Sequence, residues 1–154
     1  MEDIRILKSN GVEMAFRGEL LAKAETERSD SDPSERRFDL RVYRTDDRGF
    51  VPIIEFDSTF ENENAVTIAE FVDQSHDIEN FFFVFEPSEV FTETTLRTLP
   101  TPERQQLLRE MLSMYDSVVN SVLIQLRRHC LEGECDPEID EPKKRKGLLG
   151  YLGL

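Results

Sequence analysis

Two stretches of the sequence bring together side chains that can do chemistry. The first is Arg128-His129-Cys130-Leu131-Glu132-Gly133-Glu134-Cys135, with an imidazole and two thiols close in the chain. Imidazole nitrogen and thiolate sulfur are the donors zinc prefers, but a structural site takes four of them, usually as two spaced pairs. Here a single C-x4-C stands at the end of an expected helix, and the one other histidine, His76, is remote in sequence. The reading is therefore two ordinary thiols beside a helix-terminal cation, with no metal and no other cofactor. The same residues do not make a nucleophile and base. His129 and Cys130 are adjacent, and adjacent residues on a helix point to different faces.

The second stretch is Ser58-Thr-Phe-Glu-Asn-Glu-Asn-Ala-Val-Thr-Ile-Ala-Glu70. If a strand runs through Glu61 and Glu63, the two share parity and face one site. Such a pair can bind a divalent cation or share acid–base work. In a chain with 32 acidic residues, adjacent carboxylates also arise by chance. No G-x-S-x-G elbow, phosphate-cradling G-x-x-x-x-G-K-[ST] or G-x-G-x-x-G is present. A carboxylate-dependent enzyme around Glu61 and Glu63 is kept as an alternative, and catalysis is not the leading reading.

A third segment carries binding chemistry instead. Lys143, Lys144, Arg145 and Lys146 precede Gly147-Leu148-Leu149-Gly150-Tyr151-Leu152-Gly153-Leu154. Six acidic residues lie just upstream, in 132–142, so the attraction of the four cations for nucleic-acid phosphates is partly cancelled within a Debye length. Three glycines, each costing about 1 kcal/mol against alanine, disfavour a free helix. Leu148, Leu149, Tyr151, Leu152 and Leu154 are too few for stable membrane anchoring, though weak interfacial contact is open to them. They suit a short linear motif that orders in a hydrophobic groove. An acidic linker ending in such a Gly/Leu-rich peptide resembles the docking tails of protease adaptors and the cargo tags of protein shells. The resemblance spans about a dozen residues. It implies a protein partner bound through Lys143–Lys146 and the leucines and tyrosine that follow.

These segments must be positioned by a domain whose bulk properties are simple. The chain has 154 residues, a formal charge of −13 and 11 phenylalanines but no tryptophan. That length suffices for one ordinary core plus a tail. The acidity argues against nonspecific nucleic-acid binding, which rests on Lys and Arg. It leaves a rival reading, an acidic inhibitor or nucleic-acid mimic that occupies a basic cleft. No apolar run approaches the ~20 residues of a membrane helix. The first residues, mixed in charge, lack the apolar stretch of a signal peptide, so the cytoplasm is expected.

Hydrophobic periodicity then gives the elements. Asn10-Gly11 suggests a two-residue hairpin turn. Val12, Met14, Phe16, Leu20, Ala22 and Ala24 fall on one parity, interrupted at Gly18, where a bulge or a bend is expected. Phe38, Leu40 and Val42 alternate with polar residues, and Phe50–Ser58 returns after a turn. Pro52 suggests an edge or a bulge in that strand. Another strand runs from about Ala65 to Val72. Ile78, Phe81, Phe82 and Phe85 fit one helical face after Ser75 as N-cap, although Phe81–Phe85 also has strand character. After Thr101-Pro102, apolar residues from Leu108 to Leu126 recur at threes and fours and form the broad face of a long helix.

The expectation is an α+β protein. A mostly antiparallel sheet of four to five strands, over residues 2–72, is packed on one face by helix 103–131, with a short helix at 76–86. Residues 1–131 form the domain, 132–146 an acidic-then-basic linker, and 147–154 the Gly/Leu-rich motif of a flexible tail. Phe16, Leu40, Ile54, Val118 and Val122 should be buried. The leading function is a non-enzymatic protein-binding or adaptor domain whose tail docks on a second partner. The ligand arithmetic at His129, Cys130 and Cys135 yields a direct check: elemental analysis of the purified protein should find no stoichiometric zinc.

Overall fold

The computed structural model describes residues 1–27, 36–60 and 63–131. Five strands come first: β1 (Glu2–Leu7), β2 (Glu13–Glu25), β3 (Arg36–Thr45), β4 (Phe50–Ser58) and β5 (Val66–Ala69). Helix α1 (Ser75–Val84), a 3-10 turn (Pro87–Val90), the short helix α2 (Glu93–Thr98) and the long helix α3 (Thr101–Leu131) follow. The strands lie in sequential order and all pair antiparallel. The α+β class, the five-stranded sheet and the long C-terminal helix follow the reading of the sequence. The polar connection 28–35, the linker 132–146 and the motif 147–154 lie outside the described residues.

Side chains alternate faces along a strand, and the two faces of this sheet are used differently. Phe38, Leu40 and Val42 of β3 and Phe50, Ile54 and Phe56 of β4 join the main core with α1 and α3. Helix α3 contributes Met111, Tyr115, Val118, Val119, Val122 and Leu126, a stripe at helical spacing. Leu40, Ile54, Val118 and Val122 are buried, as expected. Phe16 is only half-buried and belongs to a second cluster on the opposite face with Ile6, Met14, Tyr43, Val51, Ile53 and Ala69. Its ring meets Tyr43 edge-on at 5.5 Å.

An extra residue in β2 explains why that strand serves both clusters. Leu20 pairs with Tyr43 and Ala22 with Val42, so Leu21 is left over. Before it the even positions Met14 and Phe16 point to the second cluster; after it Ala22 and Ala24 point to the main core. Leu20 is consequently exposed and Leu21 buried. The expected interruption at Gly18 is thus displaced toward Leu21. Gly18 answers to crowding instead: a Cβ there would lie 2.8 Å from the Arg44 carbonyl oxygen and 3.0 Å from the Phe16 ring.

The sheet curls, and its first hairpin reaches its last strand. The Ser9 N–H donates to the Thr67 carbonyl at 2.9 Å, and the Thr67 N–H donates to Ser9 Oγ at 2.6 Å. Part of the β5 edge is thereby occupied, which removes some of the exposed ladder that invites strand pairing. The hairpin turn is longer than the two-residue type expected. Gly11 N–H bonds to the Lys8 carbonyl, Lys8 N–H bonds to the Val12 carbonyl, and only Gly11 takes a left-handed φ, +82°. That is a three-residue loop with glycine at its left-handed position.

Pro52 also departs from expectation, because β4 is an interior strand with no register shift against β3. The parity of β4 turns the missing donor of Pro52 toward β5. There the ladder breaks between the Ile53–Ala69 pair and the isolated Phe50–Val72 bridge. The proline costs a rung on the short outer strand and leaves the β3–β4 ladder intact.

Phe81–Val84 is helical, and Phe85 leaves the helix in an extended conformation ahead of Pro87. Gln74, and not Ser75, occupies the N-cap position; Ser75 is the first helical residue and is buried. In the core, Tyr115 Oη donates to the Phe82 carbonyl at 2.6 Å. Phe82 belongs to the last turn of α1, whose carbonyls lack a helical partner. A hydroxyl from α3 thus satisfies a buried acceptor of α1 and fixes one helix against the other. Replacing Tyr115 by Phe keeps the ring contacts with Phe38 and Phe85 but strands that carbonyl. Chemical denaturation of Tyr115→Phe should show a loss of about 1–3 kcal/mol.

Candidate functional site

The structure treats the residues singled out in the sequence unequally. Lys143–Lys146, Leu148, Leu149, Tyr151, Leu152 and Leu154 lie outside the described residues, as do Cys135 and Glu61. His129 is half-buried in the last turn of α3. His76 sits in the first turn of α1 with Nε2 3.4 Å from Asp77 Oδ1. Among the described residues no three His, Cys, Asp or Glu side chains gather at one point.

Glu63 is inside the fold and already engaged. Arg36 Nε and Nη2 donate to its two carboxylate oxygens at 2.8 and 2.7 Å, and Ser58 Oγ donates to Oε1 at 3.0 Å. Its side chain is 3% exposed. The Arg36 guanidinium stands over the Phe60 ring at 4.4 Å and lies 5.6 Å from the Phe91 ring centre. The bidentate fork matches two planar charged groups, and the rings shield it from water. Backbone contacts continue the clamp: Glu63 bridges Phe91, and the Asn64 N–H donates to the Val90 carbonyl at 2.9 Å. The carboxylate therefore holds the 58–64 connection to β3 and to the 3-10 turn. As half of an open carboxylate pair it is replaced by this structural role.

The open surface lies elsewhere, between β5 and α1. A groove of about 520 Å³ has a floor of Ile54, Ile68, Val72, Phe81, Val84 and Phe85. Glu70, Asp77 and Glu89 supply carboxylates at its sides, and Asn80 an amide. Its origin is architectural. Helix α3 packs over β2 and β3 while α1 packs on β4, and β5 has only four residues. The core-side residues of β5, half-buried Val66 and Ile68, are left incompletely covered. Val84, in the last turn of α1, lines the groove and is 79% exposed.

The charged residues that line this groove are all acidic, and the sequence that builds it is one-sided in charge. Between Gly49 and Leu96 the sequence has 11 acidic residues and neither lysine nor arginine. The rest of residues 1–131 is balanced, 15 acidic against 15 basic. All the net charge of the domain thus belongs to the stretch that builds β4, β5, α1 and their connections. By contrast, β2 and β3 carry both signs and pair them across strands, as in Arg37 with Glu25 and Arg44 with Glu19, and Arg41 of β3 also pairs with Glu55 of β4. Net charge over the whole chain does not single out the groove residues. The signal was the lysine- and arginine-free interval itself.

No protein-family model, curated protein or solved structure matches the chain. No helix among the described residues is long and apolar enough to cross a membrane.

The clamp gives a stability test that separates structure from catalysis. Arg36→Ala leaves the Glu63 carboxylate enclosed without its counter-ion and should cost about 3 kcal/mol in urea denaturation. The double variant Arg36→Met/Glu63→Gln should recover part of that loss, because neither side chain then carries an unpaired charge.

Proposed function

We propose that this chain is a non-enzymatic binding or adaptor protein with two contact surfaces. One is the β5–α1 groove of the domain. The other is the basic-then-apolar segment of Lys143–Lys146, Leu148, Leu149, Tyr151, Leu152 and Leu154. The observation that carries the reading is the groove: an apolar floor, carboxylates at the sides and an exposed Val84. Its volume falls within the range of ordinary ligand sites, about 300–1,000 Å³. Apolar floors with a few polar groups at the rim are how folded domains hold short peptides. The cytoplasm is the proposed compartment.

The segregated acidity supports a second reading, an acidic inhibitor or nucleic-acid mimic that fills a basic cleft. In that case association depends on the field of residues 49–96 and not on the tail. Surface electrostatics of this kind steer encounter and are screened by salt.

One capture experiment separates the two. Intact protein, protein cut after Pro142, and full-length Leu149→Ser/Leu152→Ser are used as baits at low and physiological salt. In an adaptor, both altered baits lose the tail-bound partner, while their melting temperatures fall by a few degrees at most. Capture that survives both changes but collapses with salt rejects the tail reading and supports the acidic inhibitor.

A further inference from the structure

We propose that the β5–α1 groove is the seat of this chain's own segment Lys143–Leu154, bound intramolecularly. The inference rests on reading that segment as a docking peptide, and it names the surface that receives it. In this arrangement Leu148, Leu149, Tyr151 and Leu152 lie over the floor of Ile68, Val72, Phe81 and Val84. Lys143–Lys146 face the carboxylates of Glu70, Asp77 and Glu89.

Charge order selects this segment and this surface. Residues 132–142 contain six acids and no base, residues 143–146 are all basic, and residues 147–154 are uncharged side chains. The acidic stretch is repelled by the field of residues 49–96, whereas the four cations are attracted to it. An apolar floor flanked by carboxylates is complementary to a basic-then-apolar sequence and to nothing else in residues 132–154. Of the other exposed apolar side chains, Leu7, Val12, Leu20 and Ile124 lie outside the lysine- and arginine-free interval. Phe60 and Phe71 lie inside it but do not line the groove: the Phe60 ring carries the Arg36 guanidinium, and Phe71 meets Phe16 edge-on.

Reach is adequate. The 11 residues 132–142 separate Leu131 from Lys143, and extended chain covers about 3.3–3.6 Å per residue, close to 40 Å in all. A domain of this size has a radius of gyration of about 14 Å, so the segment can arrive at any of its faces. A short tether sets an effective concentration on the order of millimolar. At micromolar protein the intramolecular site therefore wins over the same groove on a second copy. A partner that takes the segment must displace it from the groove, and one that takes the groove releases the segment. The two contact surfaces are thereby coupled with no change in the fold.

The test uses the full chain, labelled with ¹⁵N, in wild-type and Leu149→Ser/Leu152→Ser forms over a tenfold range of concentration. The proposal expects amide shifts at Ile68, Glu70, Val72, Asn80, Phe81 and Val84 to differ between the two forms, by the same amount at every concentration. Val84→Glu, at an exposed position, should release the segment too. Trypsin should then cut at Lys143–Lys146 several-fold faster than in wild type. Groove shifts that are identical in the two forms overturn the proposal, as do differences that grow with concentration, which place the segment on a second copy. If partner capture needs Leu149 and Leu152 but the groove shifts do not, the docking-peptide reading stands and only this seat is wrong. If neither depends on them, both readings fall.

Discussion

Leu21 is one residue too many for the β2–β3 ladder, and the consequences of that surplus run through the molecule. Were the same sequence paired without a bulge, the alternation of β2 would hold Met14, Phe16, Ala22 and Ala24 on one face along the whole strand. With it, the first half of β2 turns its apolar residues away from α3 and the second half turns them toward it. A bulge also strengthens local twist. The first hairpin can therefore fold over the outer face and cover Tyr43, Val51 and Ile53, while Ser9 meets Thr67 on the far strand. Two apolar clusters on opposite faces of one sheet need two covers. Helix α3, joined by α1, is one, and the curled hairpin is the other.

That division of labour leaves one corner open. Helix α3 is committed to β2 and β3, where Gln125 also exchanges hydrogen bonds with the Lys23 backbone at 3.0 and 2.8 Å. Helix α1 is fixed by the Tyr115 hydroxyl and by burial of Ile78 and Phe82. It cannot slide outward over β5 without giving up both. The Arg36–Glu63 clamp pins the connection that leads into β5 from the other side. The groove is thus bounded by three separately anchored elements, which hold its shallow apolar surface in one shape.

Local patterns carried most of the architecture. The alternation in Phe38–Val42 and Phe50–Phe56 and the three-four spacing from Leu108 to Leu126 are properties of single segments, so they could be read directly. What escaped depends on segments meeting. The surplus residue at Leu21 exists only against Val42 and Tyr43. Pro52 is harmless in an interior strand because its missing donor faces the short strand β5. Glu63 acquires its role from Arg36, 27 positions away. The groove was partly legible, since an interval of 48 residues without lysine or arginine needs no partner to be noticed. Its apolar floor was not, because Ile68 and Phe81 pattern as core in their own elements and stay half-exposed only where β5 and α1 fail to close over each other.

The segregation of charge is the feature that folding alone explains least. Like charges crowded on one side of a domain repel and lower its stability. Interspersing both signs, as β2 and β3 do with Lys23, Arg37, Arg41 and Arg44 among their acids, avoids that cost. The interval 49–96 supplies no such cation of its own: Glu55 and Glu63 pair with arginines of β3, and neither lysine nor arginine stands even at Asn80 and Val84, exposed positions of a helix. Solubility does not require it, because the same net charge spread over the surface would serve equally. A one-sided field beside an apolar floor becomes useful when the ligand carries the opposite charge next to apolar side chains. Within residues 132–154, Lys143–Leu154 has that order.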